Sequence, residues 1–165
     1  LTKFVVKANS KWLKEVKAAG NANFMTKSSI TGDELKVKGA DNSLIQFMKP
    51  IEVGVFDLNV TNSANIVVED MKVDRLECDM NGSGSMRLKN GTANKGEFTV
   101  LSSGDAFGVA VKTIDCKVAG SGTVEINPKE MLKANLVGKG NIRYKGPVTV
   151  EQRIIGKGTI QEVKE

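Results

Sequence analysis

Hydrophobic and polar residues alternate along short segments of the chain, and these segments recur at nearly constant spacing. The clearest copies contain a Gly-x-Gly motif that begins at Gly82, Gly120, Gly138 and Gly156. Weaker copies align Gly20, Gly39, Asn62 and Ser102 with the first glycine of the motif. Successive positions lie about 18 to 23 residues apart, a period typical of repeat proteins. This period, with one principal strand per copy, indicates a solenoid in which each repeat forms one coil.

Equivalent positions of the repeats show which face of the strand is buried. Three residues before the first glycine position, all eight residues are polar. Two residues before it, all eight are apolar: Ala18, Val37, Val60, Met80, Val100, Val118, Leu136 and Ile154. Alternation with a period of two is typical of a strand with one buried face. The repeats therefore predict apolar columns stacked along a continuous core.

We predict an all-β fold, a single-stranded right-handed parallel β-helix of about eight coils with about 18–23 residues per coil. Hairpins would need a partner strand inside each repeat, and a strand-helix-strand crossover needs roughly 30 residues. The prediction treats residues 1–165 as one β-helix domain. Residues 1–13 form an N-terminal strand or cap, and residues 14–165 form the repeats. The longer repeats place insertions near residues 48–51 and 91–94, where loops could carry a binding site.

Composition and charge exclude several classes of function. The net charge of +5 is spread along the chain without a run of like charges, and no basic segment carries aromatic residues, so we expect no nucleic-acid partner. We expect no membrane span, because no stretch of 18 apolar residues occurs; a removed signal peptide or lipid anchor stays open. The chain has no histidine, which excludes Ser-His-Asp and Cys-His catalysis. No metal site and no cofactor is predicted.

The two cysteines are predicted to be free and buried. Cys78 and Cys116 share one inward column, with Phe98 in the coil between them. Two coils correspond to ~9.6 Å, beyond the ~7 Å at which Cα atoms can be joined by a disulfide.

An outward column of acidic residues is the main candidate for binding. Seven of the eight residues five positions before the first glycine position are acidic: Glu15, Glu34, Asp57, Glu77, Glu97, Asp115 and Glu151; the eighth is Lys133. Glu77, Glu97 and Asp115 are the central candidates, as a ladder for cations or as a stripe facing a partner. The interpretation we favour is a solvated column balanced by nearby Lys17, Lys36, Lys117 and Arg153, because surface charges rarely do more.

Two further sequence features have a structural and a functional interpretation. Trp12 could stack on a sugar, but its apolar neighbours favour packing in an N-terminal cap. Three residues after the first glycine position lie small polar residues: Asn23, Asn42, Asn65, Ser85, Asp105, Thr123, Asn141 and Thr159. A ladder of side-chain hydrogen bonds at a corner explains them without a ligand.

The Gly-x-Gly segments resemble the head-GIN putative adhesin family of Gram-negative bacteria. The segments are Met80-Asn-Gly-Ser-Gly-Ser-Met, Val118-Ala-Gly-Ser-Gly-Thr-Val, Leu136-Val-Gly-Lys-Gly-Asn-Ile and Ile154-Ile-Gly-Lys-Gly-Thr-Ile. The resemblance covers residues from about Leu58 to the end. It implies a β-helical protein that is secreted, periplasmic or associated with the outer membrane, and it supplies no catalytic residues.

These observations leave three hypotheses for the function. The leading hypothesis is a non-catalytic adhesion or binding module whose partner is a surface glycan or a protein. The second is a structural scaffold that forms oligomers, for example a homodimer stacked end to end. A carbohydrate-active enzyme is the least favoured, because the sequence shows no acid/base pair of carboxylates.

Overall fold

The strands of this protein stack in parallel into a β-solenoid of about seven turns. The computed structural model describes residues 13–164, which contain strands and loops but no helix. The strands are β1 (Glu15–Ala18), β2 (Asn23–Thr26), β3 (Ile30–Gly39), β4 (Leu44–Phe47), β5 (Ile51–Asn62), β6 (Asn65–Val68), β7 (Met71–Gly82), β8 (Ser85–Leu88), β9 (Gly91–Ser102), β10 (Asp105–Gly120), β11 (Thr123–Gly138), β12 (Asn141–Lys145), β13 (Thr149–Gly156) and β14 (Thr159–Val163). Every strand pairing is parallel.

The strands form two series of pairings along the solenoid. One series joins β1, β3, β5, β7, β9, β10, β11 and β13. The other joins β2, β4, β6, β8, β10, β11, β12 and β14. Strands β10 and β11 belong to both, because here the chain passes from one side to the next without leaving the sheet. The pairing of the long strands is interrupted near the middle, as at Gly54 of β5, and twice where β10 pairs with β11. These breaks mark corners between the sides of a coil.

A residue with positive φ stands at one corner of each coil. These corner residues are Gly20, Asp41, Asn62, Gly82, Ser102, Gly120, Gly138 and Gly156. Their spacing shortens from the N-terminal coils to the C-terminal coils, and the intervals between them correspond to the turns of the solenoid. The parallel β-solenoid predicted from the sequence is confirmed, with about seven turns instead of eight coils.

The second sequence repeat was aligned wrongly by two residues. Gly39 pairs with Val60 inside the sheet, and the corner lies at Asp41, which has a φ of 58°. The side chain of Asp41 accepts a hydrogen bond from the backbone N–H of Gly20, 2.9 Å away. Aspartate tolerates the left-handed conformation better than most residues, and the bond to Gly20 holds its side chain against the preceding coil, so glycine is not required here. Val37 therefore stacks on Leu58, not on Val60.

The apolar columns form one continuous core. From Val60 to Leu136 the predicted inward residues are buried and in register, as with Val60, Met80, Val100, Val118 and Leu136. Ile154 in the last coil keeps the register but is exposed. Three phenylalanines, Phe47, Phe56 and Phe98, are among the largest fully buried side chains of this core. Leu13 is the first described residue and packs against this core. The predicted N-terminal strand or cap otherwise lies outside the described residues.

Both predicted insertions are present as extra corner residues. Between Phe47 and Ile51 the chain has one residue more than between their partners Val68 and Met71. Between Arg87 and Thr92 it has two more than between Phe107 and Ala110. Each coil after this point is therefore shorter than the coils before it, and the solenoid narrows at the boundary between β9 and β10.

Candidate functional site

The corners at the Gly-x-Gly motif are packed so closely that they leave no room for a ligand. The carbonyl oxygen of Ser102 accepts hydrogen bonds from the backbone N–H groups of Ser121 and Gly122 in the next coil, at 2.8 and 2.9 Å. The same pair of bonds recurs at the corners of Asn62, Gly120 and Gly138. A Cβ atom on Gly122 would collide with the carbonyl of Gly104. The Gly-x-Gly motif thus packs coil against coil and does not cradle a phosphate.

The outward acidic column has a different composition from the prediction. Lys36, not Glu34, pairs with Asp57, because the second repeat is shifted by two residues. The other six predicted acidic residues stay in the column, and four of them are stacked on successive coils: Asp57, Glu77, Glu97 and Asp115. Lys36 precedes them and Lys133 follows them in the same column. The predicted candidates Glu77, Glu97 and Asp115 therefore lie side by side on one face.

Basic side chains balance this acidic column. Arg75 lies against both Glu77, with Nε 2.7 Å from Oε1, and Glu97, with Nη2 3.1 Å from Oε1. The ammonium of Lys117 lies 3.9 Å from Asp115. Partial burial and the nearby carboxylate of Asp79 raise the pKa of Asp57. Among the described residues, no three histidine, cysteine, aspartate or glutamate side chains are grouped to hold a metal ion.

The polar corner column contains side-chain hydrogen bonds between coils. Ser85 donates to Asn65 Oδ1 at 2.6 Å, and Thr159 donates to Asn141 Oδ1 at 2.8 Å. The backbone N–H of Thr123 donates to Asp105 Oδ1 at 3.1 Å. The inclusion of Asn42 was wrong, because Leu44 pairs with Asn23 and Asn65 in this column. These contacts link coils and therefore account for the polar residues.

Two adjoining cavities form a groove along the corner where the solenoid narrows. The first, of about 310 Å³, is lined by residues that include Lys89, Asn90 and Glu125. The second, of about 430 Å³, is lined by residues that include Lys129, Glu162 and Lys164. Asn127 and Lys145 line both cavities. We call this surface the corner groove.

The corner groove presents amides and an excess of positive charge. Its four lysines face two glutamates, of which Glu125 is also within 3.6 Å of Arg143. The ammonium of Lys89 lies 2.7 Å from Glu69. Among the residues that the structure describes, no acidic side chain forms an ion pair with Lys129, Lys145 or Lys164. The groove can therefore offer cations and hydrogen-bonding amides to a polar, acidic chain.

A second surface is apolar where the strand alternation would place polar residues. Leu101, Ala119, Val137 and Ile155 stack in register on the outward side of β9, β10, β11 and β13. Leu101, Val137 and Ile155 are 45%, 48% and 50% exposed. We call these four residues the apolar stripe. The same column holds Thr61 and Asn81 in two earlier coils.

Sequence reasoning missed both surfaces. The apolar stripe could have been found by comparing the residue just before each corner, since Leu101, Ala119, Val137 and Ile155 are all apolar. The corner groove has only an indirect signal, the extra residues before Thr92. Trp12, the other binding candidate, lies outside the described residues.

The two cysteines play no part in these surfaces. Both are free and buried, as predicted. Burial in the core raises the pKa of both thiols, Cys78 well above its ordinary value. Thiols held in the neutral form and shielded from solvent are poor nucleophiles and poor metal ligands.

Family comparison gives a match over most of the chain. The family model described as "putative auto-transporter adhesin, head GIN domain" matches residues 1–147. No significant match is found among curated proteins. Within residues 13–164 there is no helix of the length and hydrophobicity needed to cross a membrane.

Three solved structures of similar proteins come from Parabacteroides. A putative adhesin from Parabacteroides merdae ATCC 43184 is 52% identical with a TM-score of 0.92, and the match covers 93% of this chain and 65% of that one. A putative adhesin from Parabacteroides distasonis ATCC 8503 is 55% identical with a TM-score of 0.95, covering 98% and 69%. A putative lipid binding protein from the same strain is 29% identical with a TM-score of 0.87, covering 92% and 62%. This chain thus spans about two thirds of the length of these proteins.

Proposed function

Because the chain belongs to the family described as "putative auto-transporter adhesin, head GIN domain", we propose that it is a non-catalytic adhesion module of the bacterial cell envelope. Its partner is a surface glycan or a protein. The observation that carries this proposal is the corner groove, the place on the described surface where cavities, amides and unpaired lysines meet. A fold is compatible with many functions, so the proposal rests on this site.

The chemistry of the corner groove favours an extended acidic partner. Asn90 and Asn127 can donate and accept hydrogen bonds as sugar hydroxyls do. The ammonium groups of Lys129, Lys145 and Lys164 attract carboxylates or sulfates. Because the groove continues across the coils of β11, β12 and β14, it suits a chain of several sugar residues or a peptide segment better than a single small molecule.

A glycan array tests the groove directly. We expect the protein to bind acidic saccharides, and we expect N127A/K145A to lose at least about tenfold in affinity, since two groups shared by both cavities are removed. The matched control is N81A/K95A, which removes the same groups from exposed positions outside the groove. Equal loss in both variants would show that the groove is not the site.

A cell-adhesion assay distinguishes a glycan partner from a protein partner. Beads coated with the protein are mixed with target cells before and after treatment with glycosidases or proteases. Loss of adhesion after glycosidase treatment identifies a glycan, and loss after protease treatment identifies a protein. Beads that adhere no better than beads coated with N127A/K145A would contradict the adhesion proposal.

The proposed location is secreted, periplasmic or associated with the outer membrane. A location in the envelope is consistent with the adhesin family, and a removed signal peptide or lipid anchor would direct the chain there. Fractionation of the native host, with antibodies against the protein, tests this proposal. Recovery in the cytoplasmic fraction alone would refute it.

A structural scaffold is the second candidate, favoured by one feature of the last described coil. Ile154 continues the inward apolar column, but it is 42% exposed, whereas Leu136 in the coil before it is buried. Stacking of two copies end to end would cover Ile154. Sedimentation over a range of protein concentrations tests this, with I154D as the variant that should abolish a dimer. A monomer at all concentrations would rule the scaffold out for this chain.

A further inference from the structure

The apolar stripe lies on a convex edge of the solenoid. Each of its residues directly precedes a corner residue with positive φ, namely Ser102, Gly120, Gly138 or Gly156. Four successive coils give the stripe a length of roughly 14 Å. A convex ridge cannot enclose a small molecule, and the cavities of the corner groove involve none of its residues. Its apolar side chains leave water only when the whole edge is laid against another surface.

Basic residues flank the apolar stripe on both sides. Lys117 and Arg153 lie two residues before Ala119 and Ile155, and Lys139 and Lys157 lie two residues after Val137 and Ile155. On the described chain Lys139, Arg153 and Lys157 have no ion-pair partner. Lys117 shares its charge with Asp115 at 3.9 Å. Two other acidic residues lie farther from the stripe than these basic residues: Glu151 is four positions before Ile155, and Asp105 is four positions after Leu101.

We propose that the apolar stripe docks on the surface of an anionic lipid bilayer. Leucine, valine and isoleucine side chains would enter the boundary between headgroups and acyl chains, and the flanking ammonium and guanidinium groups would contact anionic headgroups. An apolar face bordered by basic residues is the pattern of segments that lie in a membrane interface. A flat, deformable surface also fits a straight ridge, which a rigid protein would have to match with a groove.

This proposal goes beyond the adhesion role and uses a different surface. Neither Asn127 nor Lys145 of the corner groove belongs to the stripe or its flanks. Binding to vesicles and binding to glycans are therefore independent properties, and each can be lost without the other.

Co-sedimentation of the whole chain with lipid vesicles tests the proposal. We expect binding to vesicles of phosphatidylglycerol and phosphatidylcholine, and binding at least about tenfold weaker to phosphatidylcholine alone, because the basic flank needs an anionic surface. Added salt should weaken the binding by screening these charges.

Two variants connect that binding to the stripe. L101S/V137S should lower the affinity for anionic vesicles at least about tenfold, since it removes apolar side chains that enter the interface. The matched control M25S/M48S removes two other exposed apolar side chains and should bind like the wild type. K139E/K157E changes only exposed positions at the corner and should also abolish binding. Thermal melting checks that each variant remains folded.

Three results would overturn the proposal. They are no binding of the wild type to anionic vesicles, unchanged binding by L101S/V137S, or an equal loss in M25S/M48S. Glycan binding measured on the same samples shows whether the adhesion proposal survives such a result.

Discussion

Cys78 and Cys116 lie in the same inward column of the core, two coils apart, with Phe98 at the equivalent position of the coil between them. Parallel stacking with a constant register fixes this separation, so the two thiols cannot approach each other without unwinding a coil. Both remain free and buried. Because both thiols are buried, their contribution to the stability of the fold depends on pH.

The stability of the fold should fall at alkaline pH because of these thiols. Burial raises the pKa of both above their ordinary value of 9.0, so above pH 9.0 the unfolded chain releases protons that the native state keeps. The thiols therefore do not lower stability below that pH. Above it, the free energy of unfolding falls by up to about 1.4 kcal/mol per pH unit for each thiol. Urea unfolding at several pH values measures the slope.

The variant C78A/C116A is the control for this pH dependence. The two truncations lower stability at every pH, but they remove the thiol contribution to the slope. If the slope above pH 9.0 were the same in the variant and the wild type, other groups would be responsible.

A charge placed in the apolar column should disrupt the solenoid. Val118 is buried between Val100 and Leu136, and V118D would bury a carboxylate without a partner. We expect a loss of more than about 4 kcal/mol in the free energy of unfolding. V137D places the same side chain at an exposed, outward residue of the next coil and should change stability by less than about 0.5 kcal/mol. Similar urea midpoints for the two variants would disprove the alternation.

The second glycine of the motif should tolerate no side chain. In G122A the new Cβ would meet the carbonyl of Gly104 and lie 2.9 Å from Val100 Cγ1, so the stacked coils must move apart. We expect a loss of about 1–3 kcal/mol, as for other overpacked sites. G32A is the matched control, because nothing lies within 4 Å of its added Cβ. Thermal and urea unfolding compare the two, and an unchanged G122A would show that the corners are looser than described.

The acidic column should behave as a charge-balanced surface. R75A removes the side chain that contacts Glu77 and Glu97 and should lower stability by less than about 1 kcal/mol, because these charges are well exposed. In the E97Q background, R75A should lower the free energy of unfolding by a smaller amount than in the wild type. A double-mutant cycle measures this difference. Millimolar calcium should leave the Tm of the wild type unchanged. A rise in Tm with calcium would instead support the cation ladder considered from the sequence.

Much of the fold could be predicted because equivalent positions of successive coils carry residues of the same polarity. From Val60 to Leu136 the inward positions are apolar, buried and in register, and the corner residues from Asn62 onwards fall where the repeat places them. The second repeat was placed wrongly because a shift of two residues preserves the alternation of faces. Gly39 resembles a corner in sequence, but the corner is Asp41, whose role depends on a hydrogen bond to Gly20 that the sequence does not reveal.

The candidate sites were less predictable than the fold. The acidic column was visible because it repeats, but Arg75, which neutralises it, lies outside that column. The corner groove arises from a difference in length between neighbouring coils, so no residue type marks it. The apolar stripe is visible in the sequence as Leu101 and the three apolar residues at equivalent positions of the later coils. It was missed because outward positions were expected to be polar.

Each strand from β3 onwards finds a parallel partner in the coil that directly precedes it along the chain. A polypeptide leaving the ribosome can therefore add one segment at a time to a template that is already complete. The paired residues lie about 18 to 21 positions apart in sequence, so each added coil closes only a short loop. The order of synthesis and the order of assembly can thus be the same.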